Sequence, residues 1–349
     1  MTFNIDEIFN KAVEMKASDV HLSVGHQPIF RINGDLQPID FWSTANKELI
    51  DGVIEKIILP EQKEEFLQTK GVDFSYDLNN GVRVRISLYQ EKNNPSLAGR
   101  IILPHIPTME EIAMPEAAYD FVRGQNGLIL ITGPAGCGKS TSLAAMIDLI
   151  SKERKCHIIT LEDPIEYVFP SNKSIIAQRE LGRDMKSFAD GMKRIVRQDP
   201  NVIMVGEMRD LETIASAVTL AETGHLVIST LHTPDAIQTV SRIIDVFPSG
   251  QQTQIKVQLS VSLRGVIAQK LLPKKEGGLI AAREVLVNTP AISHLIRENK
   301  IAQIKTHLQT GAEDKMFTMD QDIKKLYKDK KINKEIAKAH MLNSGELES

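Results

Sequence analysis

The sequence predicts an α/β fold in which a smaller α+β domain precedes a larger domain built on a parallel sheet. Three observations predict it. Short, predominantly apolar runs at 128–132, 158–161, 202–205 and 226–229 recur after residue 120, with helical stretches between some of them. Runs of that length suit strands buried on both faces. The first hundred residues instead alternate apolar and polar positions and carry hairpin turn signals. A length of 349 residues leaves room for two cores.

In chain order, Ile5, Ile8, Phe9, Ala12 and Val13 follow helical spacing, with Asn4 placed to cap them. Val20, Leu22 and Val24 alternate with Asp19, His21 and Ser23, the pattern of a half-buried strand. A second strand, 29–32, meets the turn signal Asn33-Gly34, and the chain continues from Leu36 to Ile39. Helical patterns occupy 46–68, and strands near 72–78 and 82–89 join at Asn79-Asn80-Gly81. In the later strand Val82, Val84, Ile86 and Leu88 face one way, and Arg83, Arg85 and Ser87 face the other, toward solvent. That arginine pair reads either as an ordinary solvated face or as two cations awaiting an anion. Pro104, Pro107 and Pro115 mark a linker, giving an expected division into residues 1–103, 104–118 and 119–349.

Composition narrows the function classes. Hydrophobic residues make up 42% and charged residues 25%, ordinary values for a globular chain. The net charge of −3 supplies no overall field for a nucleic acid backbone. Two cysteines, Cys137 and Cys156, cannot build a four-cysteine zinc site, and they fit a reducing compartment. The polar, acidic start carries no secretory signal, and no apolar run nears the ~20 residues that span a bilayer. Any membrane contact is expected through a partner.

Gly133-Pro134-Ala135-Gly136-Cys137-Gly138-Lys139-Ser140 satisfies the phosphate-loop pattern, between the run 128–132 and a predicted helix over 139–151. Glycines let successive N–H groups converge on a phosphate that also meets the positive helix end. Lys139 offers a point charge to β and γ oxygens, and Ser140 offers an oxygen to Mg²⁺. Cys137 contributes its backbone. The pattern predicts binding of ATP.

Beyond the run 158–161 stand Glu162, Asp163 and Glu166, and beyond 202–205 stands Glu207. Ligands sit at the carboxyl ends of strands in open α/β sheets, so both clusters fall at the expected edge. Glu207 occupies the position of a Walker B acid and a second candidate contact for magnesium. Spacing does not decide which glutamate polarises water. His225 and His232 bracket the strand that starts at Leu226, and either serves as a γ-phosphate sensor or as a structural histidine.

These segments together resemble the type IV pilus retraction ATPases, the PilT/PilU group of the secretion ATPase superfamily. The resemblance runs through nearly the whole chain and rests on the order of four boxes: 133–141 as Walker A, including Thr141, 160–166 as the Asp box, 202–210 as Walker B and 221–233 as the His box. It implies a PAS-like first domain, a RecA-like P-loop ATPase domain with a helical C-terminal extension, and a ring of six identical subunits. It also implies that Arg83, Arg85 and Arg100 reach nucleotide at a domain and subunit boundary. The partners implied are an inner-membrane pilus platform protein and a second pilus ATPase, with the motor cytoplasmic and peripheral to that membrane, and with twitching motility as its output. One departure stands out: where the family often carries Ala-Ile-Arg-Asn-Leu-Ile-Arg-Glu, this chain has Ser293-His294 at the third and fourth positions. That leaves an accessory, PilU-like role open beside retraction. The family's assembly and type II secretion branches usually carry a tetracysteine zinc site, which two cysteines cannot form.

Two other classes fit less well. A nucleic acid translocase needs a basic groove and stacking aromatics, and aromatics are only 5% here. A binding module without turnover has no use for water-positioning acids. No Asn-Lys-x-Asp segment marks a GTPase.

Overall fold

The structure is a computed structural model that describes residues 4–32, 34–102 and 105–347. Asn33 of the expected Asn33-Gly34 turn and Leu103 and Pro104 at the expected domain boundary lie outside the described residues. The chain forms two compact units, Met1–His105 with Pro164–Val168, and Ile106–Asp163 with Phe169–Ser349.

The first unit opens with helix α1 (Ile5–Glu14), capped as its sequence predicts by the Asn4 side chain, which accepts from the Asp6 N–H at 3.1 Å. Strands β1 (Asp19–Leu22), β2 (Ile29–Ile32) and β3 (Asp35–Pro38) follow, then helices α2 (Lys47–Ile57) and α3 (Pro60–Thr69). Strands β4 (Gly71–Asp77), β5 (Arg83–Glu91) and β6 (Asn94–Ile102) complete an antiparallel sheet of order β3-β2-β1-β6-β5-β4. Its core gathers Ile8, Phe9, Ile50, Val84, Ile86 and Leu97, contributed by α1, α2 and alternate strand positions. Strand β6 was not legible in the sequence. Pro95, Ser96, Ala98 and Gly99 dilute its apolar alternation, and Gly99 is small because a Cβ there would lie 2.6 Å from the Phe9 ring. Positive φ angles at Lys92 and Asn93 turn β5 into it.

The second unit opens with α4 (Glu116–Arg123), β7 (Gly127–Thr132), α5 (Lys139–Glu153), β8 (His157–Glu162) and β9 (Ile175–Glu180). It continues through α6 (Phe188–Ile195), β10 (Val202–Val205), α7 (Leu211–Glu222), β11 (Leu226–Leu231), α8 (Ala236–Asp245) and α9 (Ser249–Ser262). Strands β12 (Leu263–Pro273) and β13 (Leu279–Val287) precede helices α10 (Pro290–Arg297), α11 (Ile304–Thr310), α12 (Met319–Lys328) and α13 (Lys334–His340). The sheet order is β13-β12-β7-β11-β10-β8-β9, parallel throughout except for β13, which runs antiparallel to β12.

All six residues of β7 are buried. Leu128 and Leu130 join the cluster built with Ile214, Val218 and Leu259, while Ile129 and Ile131 take the opposite face, where α5 packs. Burial on both faces explains why β7, β8, β10 and β11 read as apolar runs rather than as alternation. Strands β9, β12 and β13 escaped that reading for a matching reason. Strand β9 is an edge with Ile175 exposed, and β12 interrupts its apolar residues with Arg264, Gly265, Gln269 and Lys270. The segment ahead of α4 folds with the second unit: the buried Arg283 guanidinium donates to the carbonyls of Ala113 at 2.9 Å and Ile112 at 3.0 Å. Among the described residues, no helix is long and apolar enough to cross a membrane.

Candidate functional site

The turn between β7 and α5 holds Gly133 to Ser140. Gly133, Gly136 and Gly138 all take positive φ, at 141°, 74° and 85°. At Gly133 a side chain is also sterically impossible, since a Cβ would lie 2.3 Å from the Gln269 carbonyl oxygen and 2.7 Å from Cys137 Sγ. Pro134, Ala135 and Gly136 are exposed at the tip, whereas Cys137 is buried, and burial pushes its thiol above the usual cysteine range. The α5 hydrogen-bond ladder begins with the Ser142 N–H donating to the Gly138 carbonyl at 3.1 Å. The amides ahead of that bond, from Gly138 to Ser140, stand at the positive end of the helix. Lys139 Nζ folds back and donates to the carbonyls of Gly133 at 2.8 Å and Pro134 at 3.0 Å. Such a charge, held by nothing stronger than two carbonyls, is ready to exchange them for phosphate oxygens. Thr141 follows in the first turn of α5. A cavity of about 290 Å³ opens beside the loop, lined among others by Ile112, Gly138, Thr141, Leu271, Leu279 and Arg283. Burial lowers the Arg283 guanidinium to about 10.

Parallel pairing in register brings the ends of β8, β10 and β11 to the edge where β7 delivers the loop. Glu162 ends β8, buried, and accepts from Thr160 Oγ1 at 2.6 Å and Gln178 Nε2 at 3.0 Å. Glu207 follows β10. Its Oε2 lies 3.0 Å from His232 Nε2, just past β11, and its Oε1 is paired with Arg209. The second guanidinium nitrogen of Arg209 lies 3.9 Å from Asp163. His232, Glu207, Arg209 and Asp163 therefore form one chain of polar contacts. Arg209 was not singled out from the sequence, although it sits two residues from Glu207 inside the apolar-run-plus-acid segment.

His225 corrects an expectation. It precedes β11, and its carbonyl accepts from the Gly127 N–H at the start of β7. A strand of six residues, about 20 Å at ~3.3 Å each, separates it from His232 and the phosphate loop. Its Nδ1 lies 3.1 Å from the Leu220 carbonyl, and the ring stands at the opposite edge of the sheet from the loop. Glu166, in Pro164–Val168, belongs with the first compact unit.

The three arginines lie in the first unit, and one of them departs from the sequence reading. Arg83 is 8% exposed rather than solvated, paired across the hairpin with Asp77 at 3.6 Å. Arg85 and Arg100 are direct cross-strand partners, and Arg100 pairs in turn with Asp19 and Asp19 with Arg31. Asp19 receives Arg100 Nε at 2.9 Å and Ser18 Oγ at 2.7 Å. Burial pushes its carboxyl up, but the Ser18 hydroxyl and the Arg100 guanidinium outweigh that and hold it below the ordinary value.

A profile of the type II/IV secretion system proteins matches residues 2–343. The chain belongs to that family. Within the family it is PilT-like. It is 40% identical to the type IV pilus retraction ATPase PilT of Pseudomonas aeruginosa over 335 residues, covering 96% of this chain and 97% of that one. To the type IV pilus ATPase PilU of the same organism it is 36% identical, covering 98% and 90%. A crystal structure of the pilus retraction motor PilT with bound ADP superposes with a TM-score of 0.93 at 42% identity, over 99% of each chain. The family's α/β architecture, an antiparallel sheet unit followed by a largely parallel one, is the architecture described above.

The family implies a magnesium nucleotide, and the donor set suits it. Ser140 supplies a hydroxyl and Glu207 a carboxylate, both hard oxygen donors, and among the described residues no group of three His, Cys, Asp or Glu side chains forms a closed metal cage. Magnesium favours few protein ligands plus water and substrate oxygens.

Proposed function

We propose that this chain is a motor ATPase that hydrolyses ATP to ADP and phosphate to power type IV pilus retraction. The observation that carries the reading is the phosphate loop ending β7, with the Glu207–His232 pair on neighbouring strand ends of the same sheet. The loop amides and Lys139 bind the β and γ phosphates, and the apolar walls Leu271 and Leu279 beside the loop suit the flat base. Glu207, with His232 fixing one of its oxygens, orients the attacking water and takes its proton as the bond to the γ-phosphorus forms and the bond to ADP breaks. Ser140 Oγ and, through water, Glu207 would hold a magnesium ion, which neutralises charge on the β and γ oxygens. Glu162 and Asp163 support the water and the Arg209 link at the same edge.

The likeness to PilT supports a cytoplasmic homo-hexamer at the inner membrane, acting on a pilus platform protein and alongside a second pilus ATPase. In that ring Arg85 and Arg100, with Arg83 behind them, supply cations to a neighbouring nucleotide. The division into residues 1–103, 104–118 and 119–349 is the corresponding domain reading. A second reading, an accessory pilus ATPase, is favoured by one observation. Ser293, where the retraction group has arginine, donates to the Ser260 carbonyl at 2.6 Å and so ties α10 to the end of α9.

Calorimetry with ATP and magnesium tests the site: the wild-type chain should bind, and Lys139→Ala should lose at least about tenfold in affinity. Equal affinity would remove the loop from the argument. Deleting the gene separates the two roles. Hyperpiliated, immobile cells support retraction, whereas cells that still retract their pili support the accessory reading.

A further inference from the structure

Gln269 lies on β12, one residue beyond the Ala268–Thr132 pairing with β7, and is 1% exposed. It touches the phosphate loop at two points and the helix that follows it at a third. Its backbone carbonyl packs where a Gly133 side chain would stand. Its Nε2 donates to the Cys137 carbonyl at 2.7 Å, and its Oε1 accepts from Ser142 Oγ at 2.9 Å. The Cys137 carbonyl only accepts, so it fixes Nε2 toward the loop and leaves Oε1 to accept from Ser142.

The bond to Cys137 has a consequence one atom further on. A trans peptide is planar, so the Cys137 carbonyl and the Gly138 N–H point in opposite directions. With the carbonyl drawn to Gln269, the Gly138 N–H is turned away from that side chain. Gly138 has φ +85° and no side chain, so on its side of the peptide bond a reversed orientation meets no Cβ. Flipped, it would set a carbonyl oxygen against a phosphate.

We infer that Gln269 is a positioning residue for nucleotide binding, whose side-chain amide pins the Cys137 carbonyl and so keeps the Gly138 N–H aimed into the phosphate cradle. The inference rests on the reading of 133–141 as a nucleotide site. Gln269 touches no phosphate itself; it acts through the peptide it holds.

The test uses the full chain, with magnesium-ADP as the calorimetric probe at pH 6 and pH 8, and steady-state ATP hydrolysis in parallel. Gln269→Leu removes both side-chain bonds and should weaken ADP about 10- to 100-fold and raise KM in step. At saturating ATP its kcat should stay within about threefold, because nucleotide binding energy re-seats the loop. Gln269→Glu keeps the shape but can donate to Cys137 only when protonated. Its affinity should fall between pH 6 and pH 8 by more than that of the wild type. Glu111, Cys137, Lys274 and Arg283 line the same cavity and are common to both chains, so their own titration cancels in the comparison. If Gln269→Leu does not fold, Ser142→Ala provides the second arm, with a smaller loss of about threefold. Wild-type ADP affinity in the folded variants, with no extra pH dependence in Gln269→Glu, would overturn the inference alone. A wild-type chain that binds no ADP would overturn the nucleotide site itself, and the inference with it.

Discussion

His232 Nε2 stands 3.0 Å from Glu207 Oε2, joining the ends of two neighbouring parallel strands across 25 residues of sequence. An ionised carboxylate only accepts, so Nε2 carries the shared proton. The other Glu207 oxygen belongs to Arg209. An acid held at both oxygens keeps a fixed orientation, which is what a water-positioning group needs.

Glu207→Gln should keep nucleotide affinity within about threefold and lose turnover by about 100-fold or more, the range for a removed general base. Single-turnover phosphate release checks the rate and calorimetry the affinity. Retained turnover would assign the water to Glu162 instead.

His232→Ala should lower turnover about 10- to 100-fold, as removal of an orienting partner does elsewhere. His225→Ala should leave turnover within about twofold, because the strand places that ring at the far edge of the sheet. Equal losses in the two variants would show that the opposite edge matters to chemistry.

Arg83→Ala and Arg85→Ala should separate stability from activity. Arg83 is buried against Asp77, so its loss should cost about 1–3 kcal/mol in urea denaturation. Arg85 is half-buried on the row shared with Arg100 and Asp19, and its loss should leave folding nearly unchanged while lowering the ATPase rate of the assembled oligomer. An unaltered rate in Arg85→Ala would remove that arginine from the neighbouring-site role.

Asp19→Asn should destabilise the first unit by about 1–2 kcal/mol at neutral pH, the scale of charge-assisted hydrogen bonds. The carboxyl is held below its ordinary value in the fold. Its contribution is therefore present above the unfolded value of ~3.9 and is lost as pH falls through the lower, folded value. Urea titrations of both chains should differ at pH 7 and converge in strong acid.

Tyr76 should titrate late. Burial, together with the hydrogen bond it donates to Asp6 at 2.8 Å, pushes its phenol up to about 12. A phenol raised by folding adds stability that is intact below the unfolded value near ~10 and is lost as pH rises through the folded value. Ultraviolet titration of the native chain and of Tyr76→Phe should differ by one late-ionising group. Coincident curves would rule out the raised phenol.

The sequence read well where one rule decided the outcome. Strands β7, β8, β10 and β11 are buried on both faces, so composition alone marked them, and the phosphate loop is a local backbone requirement written in glycines. It read poorly where burial depends on distant neighbours. Arg83 alternates in phase with exposed positions, yet it is buried and paired with Asp77 across the hairpin. Gln269 looks like any polar residue in a broken apolar run until β12 is laid beside β7.

Residue order by itself determined the nucleotide chemistry, because glycines, a lysine and a serine within eight positions fix where backbone donors and one cation must converge. Only the tertiary structure decided which distant groups share that edge. Strand direction and register chose His232 over His225, gave Glu207 its two partners and set Gln269 against the loop. The reason is geometric: a motif specifies a few adjacent dihedral angles, whereas the pairing of parallel strands decides which ends of the chain meet.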